Sequence, residues 1–144
     1  MLSNSSKYAI RAVLYLANNS SAEKKLGSKK IAEEIDIPAP FLAKIFQVLS
    51  KANIISSTKG PNGGFYLTEK ELSKNLLRII ESIDGLNAFN SCFMGLPTCS
   101  EENQCAVHHI VVPFRDALLK ELSGRSISEF AEDAKNGKTF IFTK

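Results

Sequence analysis

Residues 28–68, SKKIAEEIDIPAPFLAKIFQVLSKANIISSTKGPNGGFYLT, decide the fold. Ser28 reads as the N-cap of a short helix running through Ile35, with Ile31, Ala32 and Ile35 directed inward. Asp36-Ile37-Pro38 then turns the chain. A second helix opens near Pro40, which suits a first helical turn because its missing N–H would have no partner there. Phe41, Ile45, Val48, Leu49 and Ala52 fall on one stripe, opposite Ala43, Lys44, Gln47 and Lys51. Two helices joined by a tight turn, the second with a basic outer face, make a helix-turn-helix. Residues 54–58 and 64–68 are short β-favouring runs on either side of Lys59-Gly60-Pro61-Asn62-Gly63, and so predict a hairpin, or wing.

Upstream, Ala9, Ala12, Val13, Leu16 and Ala17 recur at helical spacing over residues 6–18, ended by Asn18-Asn19-Ser20-Ser21. Downstream, Leu76, Leu77, Ile80 and Ile83 predict a helix over residues 73–84. A Gly-, Asn-, Ser- and Pro-rich loop of about twenty residues follows and holds Cys92, Cys99 and Cys105; it is longer than most connections in a compact domain. From about Ala106, Val107, Ile110, Val111, Phe114, Leu118 and Leu122 form a broad apolar face. Pro113 within it predicts a bend or a start, and Gly124 a stop. Ser126-Ile127-Ser128-Glu129 has the form of a capping box opening a last short helix through Phe130 and Ala134. Residues 138–144 read as a loose end in which Phe140, Ile141 and Phe142 could pair as a strand. The expected fold is mainly α with a small β-hairpin wing: a winged helix-turn-helix plus a long C-terminal dimerisation helix. Residues 1–84, 85–105 and 106–144, the winged helix-turn-helix, the cysteine-containing loop and the long helix with the C-terminal segment, are its expected parts within one compact domain.

The chain has 144 residues, 44% of them hydrophobic, enough for one modest core. No segment approaches the roughly 20 apolar residues that span a bilayer, and the N-terminus lacks the pattern of a signal peptide, so a cytoplasmic protein without membrane contact is expected. Over residues 1–60, nine Lys and Arg face four acids, although the whole chain carries a net charge of only +3. A basic first half suits contact with phosphates. Enzyme chemistry is not expected. No nucleophile is paired with a base at recognisable spacing, the two histidines are adjacent, and the wing glycines lack the Gly-Lys-Ser/Thr end of a phosphate loop.

A recognition helix meets base edges with its early exposed residues, here Ala39, Pro40, Ala43, Lys44 and Gln47. Lys44 suits guanine, Gln47 adenine, and Ala43 a thymine methyl group. Ser28 and Lys29 suit phosphates, with Lys51 adding charge on the same helix face. In the wing, Lys59, Gly60, Pro61, Asn62 and Gly63 suit close approach to a DNA backbone. The plainer alternative is a solvated helix face and glycines that merely turn a hairpin. Another is a protein-interaction module that works through the long helix and reads no DNA.

These segments resemble the Rrf-two family of bacterial winged-helix transcription regulators. The likeness runs through Lys7-Tyr8-Ala9-Ile10-Arg11-Ala12, Ile31-Ala32-Glu33 and Phe41-Leu42-Ala43-Lys44-Ile45-Phe46. It is most specific at Lys59-Gly60-Pro61-Asn62-Gly63-Gly64-Phe65-Tyr66-Leu67, which is similar to the family's Arg-Gly-Pro-x-Gly-Gly-Tyr-x-Leu wing. The resemblance implies a repressor acting as a homodimer built on the helix after the cysteine loop, its wings near the minor groove of an imperfect palindrome in double-stranded DNA.

Three cysteines within fourteen residues do not suit a disulfide framework, which wants an even count and an extracellular setting. Their spacing, Cys92-x6-Cys99-x5-Cys105, resembles the branches of the family that bind iron-sulfur clusters and sense iron-sulfur status, redox state or nitric oxide. That resemblance implies an iron-sulfur cluster, 2Fe-2S in preference to 4Fe-4S, which the purified protein can lack. It also implies His108 as fourth ligand, because the biogenesis-regulator branch has a histidine at the same interval after its third cysteine. His109 stands close enough to compete. The first cysteine interval is one residue longer than in the biogenesis regulators, and Lys7 stands where the nitric oxide-sensing branch has an acidic ligand. Zinc, for which three Cys and one His make an ordinary tetrahedral set, and a metal-free thiol sensor remain alternatives.

Overall fold

The first helix, α1 (Asn4–Asn19), is the hub of the core in this computed structural model, which describes residues 2–142. Ala9, Ala12, Val13 and Leu16 on one side of it are wholly buried, and the two alanines let neighbouring helices come close. Around α1 pack α3 (Ala39–Lys51), α5 (Leu76–Asp84) and α8 (Ile127–Lys135). Ser3 caps α1, its hydroxyl accepting from the Ser6 amide at 3.1 Å.

Helix α2 (Ser28–Glu34) precedes α3, and the two pack together as the expected helix-turn-helix. The N-cap of α2 is Gly27, so Ser28 lies inside the first turn and its hydroxyl caps nothing, contrary to the sequence reading. Between the helices Asp36 takes a left-handed conformation with φ 54°, which a short polar side chain tolerates. The Arg11 guanidinium of α1 donates to the Ile35 carbonyl at this turn, tying α1 to the motif.

The buried stripe of α3 differs from the expected one. Leu42, Ile45, Phe46 and Leu49 face the core, whereas Phe41 is 57% and Val48 41% exposed. Both stripes satisfy a 3.6-residue period, and the one facing α1 and α5 is buried.

Strands β1 (Ser56–Thr58) and β2 (Gly64–Tyr66) pair antiparallel with Ser56 opposite Tyr66 and Thr58 opposite Gly64, forming the wing. Leu26 adds a single bridge to Phe65, with Leu26 N–H to Phe65 O at 3.0 Å and the return bond at 2.8 Å. Gly63 and Gly64 are required by the hairpin itself. A Cβ on Gly63 would stand 2.3 Å from the Thr58 carbonyl oxygen, and one on Gly64 2.8 Å from that of Leu26.

The helix expected over residues 73–84 is α5 (Leu76–Asp84), starting three residues later, and a short helix that the sequence reading did not name precedes it. A short α4 (Glu69–Leu72) ends at Ser73, and Asn75 caps α5 by accepting from the Arg78 amide at 3.1 Å. Glu71 of α4 is 6% exposed and accepts hydrogen bonds from Ser56 of β1 and Thr68 just after β2. Burial alone would raise its pKa; these hydroxyls and two backbone amides outweigh that and hold the carboxyl below its ordinary value.

A short α6 (Asn87–Asn90), anchored by buried Phe89, interrupts what the sequence presents as plain loop. Helix α7 begins at His108, not near Ala106, and runs His108–Gly124 through Pro113 without ending there. None of its residues is fully buried, and Ile110 and Phe114 are 63% and 60% exposed. Ser126 caps α8, accepting from the Glu129 amide at 3.1 Å; the Glu129 carboxylate lies 3.7 Å from Arg125 Nε. Among the described residues Phe140, Ile141 and Phe142 form no strand, and Arg11 Nε donates to the Ile141 carbonyl at 3.2 Å. Residues 143 and 144 of the expected loose end lie outside the described residues. Among them, no helix is long and apolar enough to cross a membrane.

Candidate functional site

The cysteine loop is held at both ends. Arg115 of α7 donates to the Phe89 carbonyl at 3.3 Å, fixing α6 against α7 ahead of Cys92. Within the loop the Gly95 amide bonds Cys92 O at 3.0 Å, Ser100 and Asn103 exchange backbone hydrogen bonds, and the His108 amide bonds Cys105 O at 3.2 Å. These turns fold the loop back on itself. The Sγ atoms of Cys92, Cys99 and Cys105 consequently all lie within 4.8 Å of one another, and all three are free thiols.

His108 completes the group, its Nδ1 3.2 Å from Cys99 Sγ and its Nε2 3.3 Å from Glu101 Oε1. The expected ligands thus converge. His109 next to it is exposed and does not line the cavity between loop and α7. That cavity measures about 30 Å³, with Cys92, Cys99, Cys105, His108 and Arg115 among its walls. Backbone amides at Leu96 and Met94 lower the Cys92 thiol pKa, the first of them most strongly. At Cys99 a backbone amide of Cys105 acts the same way, but burial and its hydrogen bonds to Cys105 and Cys92 outweigh it and push that thiol up.

Three thiols and an imidazole are soft donors, suited to zinc or to iron-sulfur chemistry rather than to hard cations. A tetrahedral zinc with bonds of about 2.3 Å holds its sulfurs roughly 3.8 Å apart; here the three sulfurs lie within 4.8 Å of one another. A cluster is larger than this cavity of about 30 Å³, so taking one up would need the thiols to move apart.

Away from the cysteine loop in sequence, Ala43, Lys44, Gln47 and Lys51 are exposed along α3, with Pro40 exposed and Ala39 half-buried at its start. Lys29 is exposed and Ser28 half-buried in the first turn of α2, while Lys59, Gly60, Pro61 and Asn62 are exposed at the wing tip and Gly63 is half-buried. Among the described residues, none of the ion pairs engages Lys29, Lys44, Lys51 or Lys59. Phe41 and Val48 flank Lys44 on α3 and escaped the sequence reading, which counted them inward. Glu101 and Arg115 escaped it too: nothing in a polar loop or on a helix face marks a lone charge as a neighbour of cysteines.

A helix-turn-helix with a β-hairpin wing and a cysteine loop ahead of a long uncovered helix defines a winged-helix transcription regulator. The chain belongs to the Rrf2 family, described as an iron-dependent transcriptional regulator, whose pattern matches residues 2–133. It is 37% identical over 111 residues to an HTH-type transcriptional regulator of Aquifex aeolicus, covering 76% of each chain. It is 26% identical over 132 residues to the HTH-type transcriptional regulator IscR of Escherichia coli, covering 92% of this chain and 80% of that one. In fold it resembles CymR, the global cysteine regulator of B. subtilis, with TM-score 0.72 at 20% identity over 92% of this chain and 96% of that one. The fold and these relatives are those of transcription regulators, not of enzymes.

Proposed function

We propose that this regulator binds operator DNA as a homodimer and reports iron-sulfur or redox status through a cluster held by Cys92, Cys99, Cys105 and His108. The observation that carries the reading is the convergence of three free thiols within 4.8 Å, with His108 Nδ1 at 3.2 Å from one of them. The cluster supplies a group that gains or loses electrons or falls apart under oxidants. The chain's own part is to offer the donors and transmit their arrangement. Residues 85–105 lie between the reading part, 1–84, and the dimerising part, 106–144. Opening or closing the loop therefore moves α7 against α5, on which it packs, and α5 in turn packs on the recognition helix α3.

On the DNA side, Lys44 and Gln47 read base edges with Ala39, Pro40 and Ala43 beside them. Ser28, Lys29, Lys51 and the wing residues Lys59, Gly60, Pro61, Asn62 and Gly63 meet the backbone. Dimerisation through α7 is supported by Ile110 and Phe114, one turn apart and unburied. It makes the operator an imperfect palindrome.

The experiment is anaerobic purification followed by a visible spectrum and iron, sulfide and zinc assays, with operator selection from random duplex DNA in both states. Iron and sulfide in near-equal amounts, with a difference in DNA affinity between loaded and stripped protein, are expected. Zinc is the second reading, favoured by the close approach of the three sulfurs. A colourless protein that holds zinc and takes up no iron on reconstitution decides for it.

A further inference from the structure

Glu101 stands between Cys99 and Cys105, its side chain 74% exposed, with Oε1 3.3 Å from His108 Nε2. Its other oxygen, Oε2, accepts from Gln104 Nε2 at 3.4 Å, which orients the carboxylate across the loop. The neighbouring acid, Glu102, is turned to the Ser100 hydroxyl at 2.9 Å and takes no part. The His108 side chain is only 11% exposed and presents its remaining nitrogen, Nδ1, to Cys99 Sγ.

An ionised carboxylate can only accept a hydrogen bond, so the ring must offer it Nε2–H. In the neutral imidazole this leaves the lone pair on Nδ1, the atom that faces the thiols. We propose that Glu101 is a positioning residue that holds His108 with Nδ1 turned into the cysteine cluster as the nitrogen donor for a soft metal centre. A carboxylate behind a metal-bound histidine fixes the ring and makes it a better donor. Without it the ring is free to rotate about χ2 and to exchange nitrogens. The inference rests on metal binding by the cysteine site, though not on which metal or cluster occupies it.

Cobalt(II) is the probe, because its visible bands report tetrahedral thiolate and imidazole ligation independently of cluster assembly. Reduced full-length protein is titrated anaerobically as wild type, E101A, E101Q, H108A and the E101A/H108A double variant. E101A is expected to weaken cobalt binding about tenfold. E101Q, which keeps a carbonyl acceptor for Nε2–H, recovers most of that loss. In the H108A background, removing Glu101 costs nothing further, since a residue that acts through His108 has nothing left to act on. Unchanged affinity in E101A, the same loss with and without His108, or a wild type that binds no cobalt overturns the assignment. If iron and sulfide fail to load while the cobalt series behaves as described, the cluster reading falls and Glu101 keeps its role. If the cluster loads and E101A is silent, Glu101 alone is rejected.

Discussion

Phe46 of α3 and Phe65 of β2 stack with ring centroids 4.6 Å apart and planes tilted by 52°. Phe46 is wholly buried and Phe65 half-buried, so this pair joins the recognition helix to the root of the wing. Replacing Phe65 by Ala is expected to cost about 2 kcal/mol of stability, less than a fully buried phenylalanine because part of the ring is already exposed. Phe65→Leu should recover much of the loss. Urea unfolding reads both, and an F65A protein that unfolds at the wild-type midpoint would contradict the coupling.

Glu71 staples the two sides of the wing at its base, through Ser56 and Thr68. Its carboxyl is held below the ordinary value of 4.5, so the folded state favours the ionised form. The resulting stabilisation is present above pH 4.5 and fades as the pH falls through the lowered folded value. Glu71→Ala, which leaves two hydroxyls without their acceptor in a nearly closed space, should cost about 1–3 kcal/mol at pH 7. The gap between wild type and E71A should shrink in urea titrations stepped below pH 4.5; a gap that widens there would show that the carboxyl works in its protonated form.

How much of this was legible in the sequence depends on whether the signal is local. The nonamer from Lys59 to Leu67 carries its own turn chemistry, and the hairpin forms where it says, at Ser56–Thr58 and Gly64–Tyr66. The same holds for Ser126, whose capping role needs only its neighbours. The α3 stripe failed because Phe41-Ile45-Val48 and Leu42-Ile45-Leu49 are equally periodic, and only the packing partners choose between them. The helix expected from Ser73 starts at Leu76 because Ser73 and Asn75 can both cap a helix, and Asn75 takes the role. At the cysteine site, spacing and resemblance named the four donors that converge. They could not name Glu101, whose link to His108 exists only after the loop has folded back.

Gly63 sits where a side chain has no room, since its Cβ would stand 2.3 Å from the Thr58 carbonyl. Gly63→Ala should push the wing tip out of place and weaken operator binding about tenfold, equivalent to 1.4 kcal/mol. Because the tip is exposed, most of the global stability should remain. Fluorescence anisotropy with labelled operator, set beside a urea titration, separates the two effects. Equal affinity for G63A and wild type would mean the wing does not touch DNA.

In the proposed DNA complex Lys59 and Lys51 meet phosphates and Gln47 a base edge. Lys59→Ala and Lys51→Ala should each weaken binding alike on specific and random DNA and reduce the salt slope by about 1. Gln47→Ala should leave the slope unchanged and cost about 1–3 kcal/mol on the operator alone. Affinities measured from low to moderate salt on both DNAs check the division. A Gln47→Ala protein that loses affinity equally on both duplexes would move this residue to the backbone.

Ile110 and Phe114 are 63% and 60% exposed on a helix with no fully buried residue, and they lie four residues apart on one face. Water contact with two large apolar side chains in adjacent turns is costly, and in the proposed homodimer a second copy of α7 crosses this stripe and removes it. Phe114→Glu is expected to convert the dimer to monomer while the monomer stays folded, because Phe114 contributes nothing to the internal core. The paired Ile110→Glu change should act the same way. Sedimentation velocity at micromolar concentration gives the mass, and circular dichroism the helix content. Since a palindrome is read by two heads at once, the monomer should also lose most of its operator affinity while keeping its weak affinity for random DNA. A Phe114→Glu protein that sediments as the wild type does would place the dimer contact elsewhere on the surface.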